Sequence, residues 1–136
     1  MNTLAADIRD MIVEETSWVA GTNLFIRREP AMPNICLTIF ETPGIGPLLF
    51  MNKDGRYDRG NIQLRIRNPN SEQAMTQMQE LIDILHGEGN FELNGAVYTK
   101  IEALDSPALL DWDENNRARI ITNFEIHRRP ELVPET

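Results

Sequence analysis

Cysteine and histidine are scarce in this chain of 136 residues: Cys36 is the one cysteine, and His86 and His127 are the two histidines. They form no His-x-x-x-His or Cys/His spacing, so a transition-metal site has no ligand framework. Cys36 lies inside the apolar run "NICLTIF", where a free cysteine acts as a small buried hydrophobe rather than a nucleophile. Long apolar runs are missing as well, and nothing approaches the roughly 18 residues that a membrane span needs. No membrane partner is expected. The opening "MNTLAADIRDMIVEE" mixes carboxylates into its apolar pattern and lacks the basic leader and apolar core of a signal peptide, so residence in a cytoplasm is the expectation. Positive charge is in deficit. With 13 Lys and Arg against 21 Asp and Glu, the net charge of -8 argues against gripping a nucleic-acid backbone. "GIGPLL" carries Pro47 and lacks the third glycine of a dinucleotide turn, and no Gly-x-Ser-x-Gly or Gly-Lys-Ser/Thr stretch is present. No catalytic, cofactor-binding or metal-ligating residue is assigned, and the chain does not read as an enzyme.

What is present is the composition of a globular domain, 41% hydrophobic and 25% charged, in a length suited to one core. Residues 1–129 are expected to form a single domain, with 130–136 a polar tail. Leu4, Ile8, Met11 and Ile12 fall at helical spacing, and Ala74, Met75, Met78, Leu81, Ile82 and Leu85 form a second apolar stripe capped by Asn70 or Ser71. Between them, "LFIRRE", "ICLTIFE" and "PLLFM" read as strands separated by the turns "PAMPN" and "TPGIGP". The segment 52–61, "NKDGRYDRGN", reads as a projecting loop. Period-2 alternation marks "NIQLRIRN" as a half-buried strand, with Gln63, Arg65 and Arg67 on its polar side. Asn94-Gly95 predicts a hairpin. The final strand places Ala118, Ile120, Thr122, Phe124 and Ile126 on one face, and Arg117, Arg119, Asn123, Glu125 and His127 on the other. The fold class is therefore α+β, a mainly antiparallel sheet with two amphipathic helices packed on one face.

The acidic stretch "DWDENN", 111–116, is the main candidate for chemistry. As a calcium loop it lacks both the turn glycine and the bidentate glutamate, because Asn116 and Thr122 stand in those places. It reads instead as a loop before the last strand, with Arg117 and Arg119 available for pairing across a subunit boundary. A small metal-binding hydrolase using residues 111–114 is the alternative from a different class. Trp112, flanked by carboxylates, is either tucked onto the core or offered as an interface anchor. Acidic and basic segments segregated on one chain make head-to-tail self-association physically reasonable.

Two stretches, "NIQLRIRNPNSEQAMTQMQELIDILHG" and "VYTKIEALDSPALLDWDENNRARIITNFEIHRRP", together with "PAMPNICLTIFETPG", resemble the tail terminator (tail completion, or minor capsid) proteins of long-tailed bacteriophages across residues 25–129. That resemblance implies a structural virion protein of the tail or neck, made in the bacterial host cytoplasm. It implies a ring homo-oligomer, of six copies, that sits on the tail tube protein, stops tube polymerisation and meets a head-side connector or stopper protein. DNA would pass through the lumen without being specifically bound, which suits an acidic chain. Another head-tail connector, a stopper or head-completion protein, is the alternative within this class. The residues expected at partner or subunit interfaces are Lys53, Arg56, Tyr57, Arg59, Arg65, Arg67, Trp112, Asp113, Glu114, Arg117 and Arg119.

Overall fold

The computed structural model describes residues 2–48 and 57–130. Lys53, Arg56, residues 49–51 of the run "PLLFM" and most of the expected tail, 131–136, lie outside the described residues. Helix α1 spans Leu4–Glu15 and α2 Ser71–Leu85; strands β1 to β7 span Leu24–Ile26, Cys36–Leu48, Tyr57–Asn68, Phe91–Leu93, Ala96–Ala103, Ala108–Trp112 and Ala118–Pro130. Both helices begin where a side chain satisfies a free N–H: Thr3 Oγ1 accepts from Ala6 N at 3.2 Å, and Asn70 Oδ1 accepts from Gln73 N at 3.1 Å. Each such cap stabilises a helix by about 1 kcal/mol. The chain leaves α2 through Gly87 at φ 88, a left-handed conformation that a Cβ would oppose.

The architecture is α+β. The sheet runs in the order β1-β2-β3-β7-β5-β4, and β6 pairs with β7 beside β5. The β1–β2 pair is parallel; β2–β3, β3–β7, β4–β5, β5–β7 and β6–β7 are antiparallel. The alternation in β3 and β7 works as the period requires: Ile62, Leu64 and Ile66 join Ile120, Phe124 and Ile126 in one buried cluster with Ile8 and Ile12 of α1 and Met78, Leu81 and Leu85 of α2. Truncating any of these to Ala would cost about 2–5 kcal/mol.

The strand map differs from the sequence expectation at three places, each for a local reason. "TPGIGP" is not a turn but the far half of β2, where register shifts fall between Thr42 and Ile45 and again between Ile45 and Leu48. Each shift sets three steps on β2 against two on β3, so the prolines and glycines that would break a regular ladder are absorbed as bulges. Gly44 is needed there, because a Cβ would sit 2.9 Å from the Arg59 carbonyl oxygen. Second, Tyr57 to Gly60 belong to β3 rather than to a loop. At Gly60 a Cβ would lie 2.3 Å from Leu4 Cδ1, so this glycine lets α1 lie close on the sheet. Third, Asp111 and Trp112 close strand β6, and the turn proper begins at Asp113. Pro130, expected in the tail, ends β7.

Candidate assembly surface

The polar side of the sheet divides into two unlike ends. At one, arginines are buried. Arg67 and Arg117 are 2% and 5% exposed, and segment 29–34, which includes the cis Met32–Pro33 peptide, folds over them. Arg67 donates to Glu29 Oε1 at 3.3 Å and to the Pro30 and Pro33 carbonyls; Arg119, its register partner on β7, donates to the same Glu29 oxygen at 2.9 Å. Arg117 reaches the Ala31 carbonyl at 2.7 Å and Asp113 Oδ2 at 2.7 Å. The shared face of Arg65 and Arg67 was correctly implied by alternation, but at the Arg67 end that face is covered rather than wet. Arg67 and Arg117, expected at a partner surface, are spent inside the subunit.

At the other end the face is half-buried and open. The Arg65 guanidinium lies 4.5 Å from the Phe40 ring centroid, a cation–π distance, and donates to Gln63 Oε1 at 2.9 Å. Lys100 Nζ lies 3.1 Å from Glu125 Oε2 and 2.8 Å from Glu102 Oε2. His127 Nδ1 is 3.0 Å from the Tyr57 hydroxyl, and its Nε2 is 3.3 Å from Glu125 Oε1, in ion-pair range but off the hydrogen-bond direction. His127 and Lys100 beside it hold the Glu125 carboxyl below the usual carboxylate range. Arg59 binds the Gly46 carbonyl and so ties β3 to the bulged end of β2.

The acidic stretch is dispersed by the fold. Asp111 pairs with Arg119 at 3.1 Å across β6–β7. Asp113 turns inward: its Oδ1 accepts from the N–H groups of Asn115 and Arg117, and its Oδ2 takes the Arg117 side chain. Burial pushes the Asp113 carboxyl up, but those hydrogen bonds outweigh it and hold the group below the ordinary range. Glu114 is exposed. Three carboxylates within four positions thus point to three environments, and among the described residues no group of three or more His, Cys, Asp or Glu is placed to hold a metal ion. Burial pushes the Cys36 thiol up, away from nucleophilic use.

One polar cluster escaped the sequence pattern. Asp7 of α1 is fully buried, where its carboxylate accepts from Asn94 at 2.7 Å, from the Tyr98 hydroxyl and from Arg128 at 3.2 Å. Burial and the Asp7 contact push the Tyr98 hydroxyl well above its ordinary value. The signal was available: Asp7 lies three residues after Leu4 and four before Met11, on the apolar stripe, where an acid requires a buried cation. Arg128, at the margin of the cluster, lines a surface cavity with Asp58, Arg59 and Gly60, whereas the Asp7 carboxylate is fully buried; the cluster clamps α1 to the β4–β5 hairpin and to β7.

The structure is thus an α+β subunit in which Asp7, Arg67 and Arg117 find their main partners inside the chain, beside a half-buried sheet face. The family model for bacteriophage tail terminator proteins matches residues 3–129. The chain belongs to that family, and is a structural protein of the phage virion. Among solved structures, a chain from the virion of a native gene transfer agent particle is 14% identical, with 92% of this chain and 93% of that one covered at a TM-score of 0.66, a likeness of fold. A second solved chain, 12% identical over 98% of this chain and 100% of that one, has a TM-score of 0.43 and carries no further weight. Curated proteins contain no match.

Proposed function

We propose that this chain assembles as a ring of six on the end of the tail tube, where it stops tube polymerisation and offers the surface that the head-side connector meets. The observation that carries the reading is the family match across residues 3–129, nearly the whole chain. The open sheet face, with Tyr57 and Arg65 among its side chains, the partly exposed Arg119 at the margin of the covered end, and the stretches at Arg59 and Trp112 are the surfaces available to partners. Lys53 and Arg56, in the charged segment beside Tyr57, are assigned to the contact with the tube or a neighbouring subunit. Position in the particle is the tail end next to the neck. DNA passes through the ring unbound, consistent with a chain of net charge -8.

Native mass of the purified chain, alone and with tail tube protein, tests this. A six-copy species, formed alone or on tubes, supports the ring. A stoichiometric complex with a head-side connector and none with the tube protein would instead make it a stopper.

A further inference from the structure

The apolar face of the sheet does not stop where the helices stop. In the antiparallel β6–β7 pair, Leu109 stands opposite Ile120 and Trp112 opposite Ala118. Opposed residues share a face, so Leu109 and Trp112 extend the side of the sheet that carries the core. The helices pack on β1, β2, β3, β5 and β7. On β6, Leu109 and Trp112 are each 50% exposed and Leu110 44%, and all five residues of the strand are exposed. Its outer edge pairs with no strand among the described residues, which is a template for another chain. Of the five carboxylates in residues 101–116, Glu102, Asp111 and Asp113 are paired with Lys100, Arg119 and Arg117, and Asp105 and Glu114 have no cation partner among the described residues, so the edge keeps a net negative charge.

The opposite edge of the same sheet is β1, where Leu24 is bridged by the chain's own Val19–Gly21 segment, so what it offers is side chains and a groove of complementary character rather than a free backbone edge. A shallow cavity of about 180 Å³ lies there, lined by Arg9, Ala20, Gly21 and β1 itself. Residues 17–28 hold Arg27 and Arg28 and no carboxylate. Arg27 is paired with Glu41, whereas Arg28 is exposed and has no partner among the described residues. Glu114, at the β6 end, is likewise exposed and unpartnered there.

Resting on the ring reading above, we infer that successive copies join head to tail through these two sheet edges: β6 of one subunit docks on the β1 edge of the next, with Trp112 and Leu109 as apolar anchors and Glu114 facing Arg28. The occupant is a second copy because one chain carries both an apolar, acidic edge and a grooved, basic edge, at opposite ends of one sheet. A contact between unlike surfaces cannot be used up by a dimer, so it propagates and closes into a ring when the rotation per copy divides the circle. A buried aromatic anchor flanked by complementary charge is also the usual form of an energetic centre in an interface.

Sedimentation of the full chain, with tail tube protein as template where needed, tests the assignment. Trp112→Ala should raise the concentration required for assembly by about thirtyfold, the effect of losing one interface anchor, with an unchanged circular dichroism spectrum. Glu114→Arg and Arg28→Glu should each weaken assembly, and the two together in one chain should restore it, which a merely structural role would not produce. If the wild-type chain assembles and all these variants assemble equally well, the edge assignment is overturned while the ring stands. Loss in each single variant without restoration in the double one also overturns the proposed pairing. If the wild-type chain never assembles, alone or on tubes, the ring reading itself falls and this inference with it.

Discussion

Arg65 and Arg67 stand two positions apart on β3 and point to the same side of the sheet, yet they have opposite fates. Arg65 is half-buried, lies over the Phe40 ring and donates to Gln63, with no segment of the described residues folded over it. Arg67 is held by Glu29 and two proline carbonyls under segment 29–34. Strand parity decides which face a side chain occupies, but cover from a distant segment decides whether that face is wet. The same division separates Arg117, enclosed with Asp113, from Glu125 and His127 at the open end.

The sharpest way to test that difference is to remove each arginine. Arg67→Ala strands the Pro30 and Pro33 carbonyls in a dry place and takes one of the two guanidinium partners of Glu29, which keeps Arg119, and should destabilise by about 3–5 kcal/mol, read as a lowered denaturant midpoint. Asp7→Ala should come next, at about 3 kcal/mol, because the Arg128 guanidinium and the Tyr98 hydroxyl lose their shared acceptor. Urea unfolding with the slope unchanged checks it. Arg65→Ala, at the open end, should cost no more than about 1 kcal/mol, the scale of an exposed cation–π contact. An equal loss for Arg65→Ala and Arg67→Ala would refute the division.

The smallest effect is a pH dependence. The folded Asp113 carboxyl lies below its ordinary value of 3.8, so in acid the unfolded chain takes up a proton before the folded one does. Its stabilising contribution is therefore complete above that value and is lost as pH falls through the folded value. Unfolding measured from pH 6 down to pH 2 should show a shallower acid loss in Asp113→Asn than in the parent chain. A parallel pair of curves would contradict the inward-turned geometry of Asp113.

Much of the fold was legible because its signals are local. The Asn94-Gly95 turn has both residues at positive φ, 51 and 79, as the dipeptide requires, and the α2 stripe buries Ala74, Met78, Leu81 and Leu85. The buried set of β7 is the alternating one read from its sequence. What remained hidden depends on distant partners. β2 runs through Pro43 and Gly44 because β3 tolerates two bulges, and no local pattern reports that tolerance. β6 has no alternation, since "ALLDW" takes its strand form from pairing with β7 rather than from a buried face of its own. Of the expected surface residues, Arg67 and Arg117 went inward because segment 29–34 supplies carbonyl acceptors that a linear reading cannot place. Asp7 was missed for the converse reason, a polar residue admitted to an apolar stripe by Arg128, 121 positions away.

The central claim, that copies of this chain close a ring on a tail tube and end its growth, is tested most directly by electron microscopy of tube protein polymerising with and without the purified chain. The account predicts tubes that bear a ring at one end and stop lengthening once the chain is added. Tubes that keep growing with bare ends, in the presence of excess chain, would contradict it.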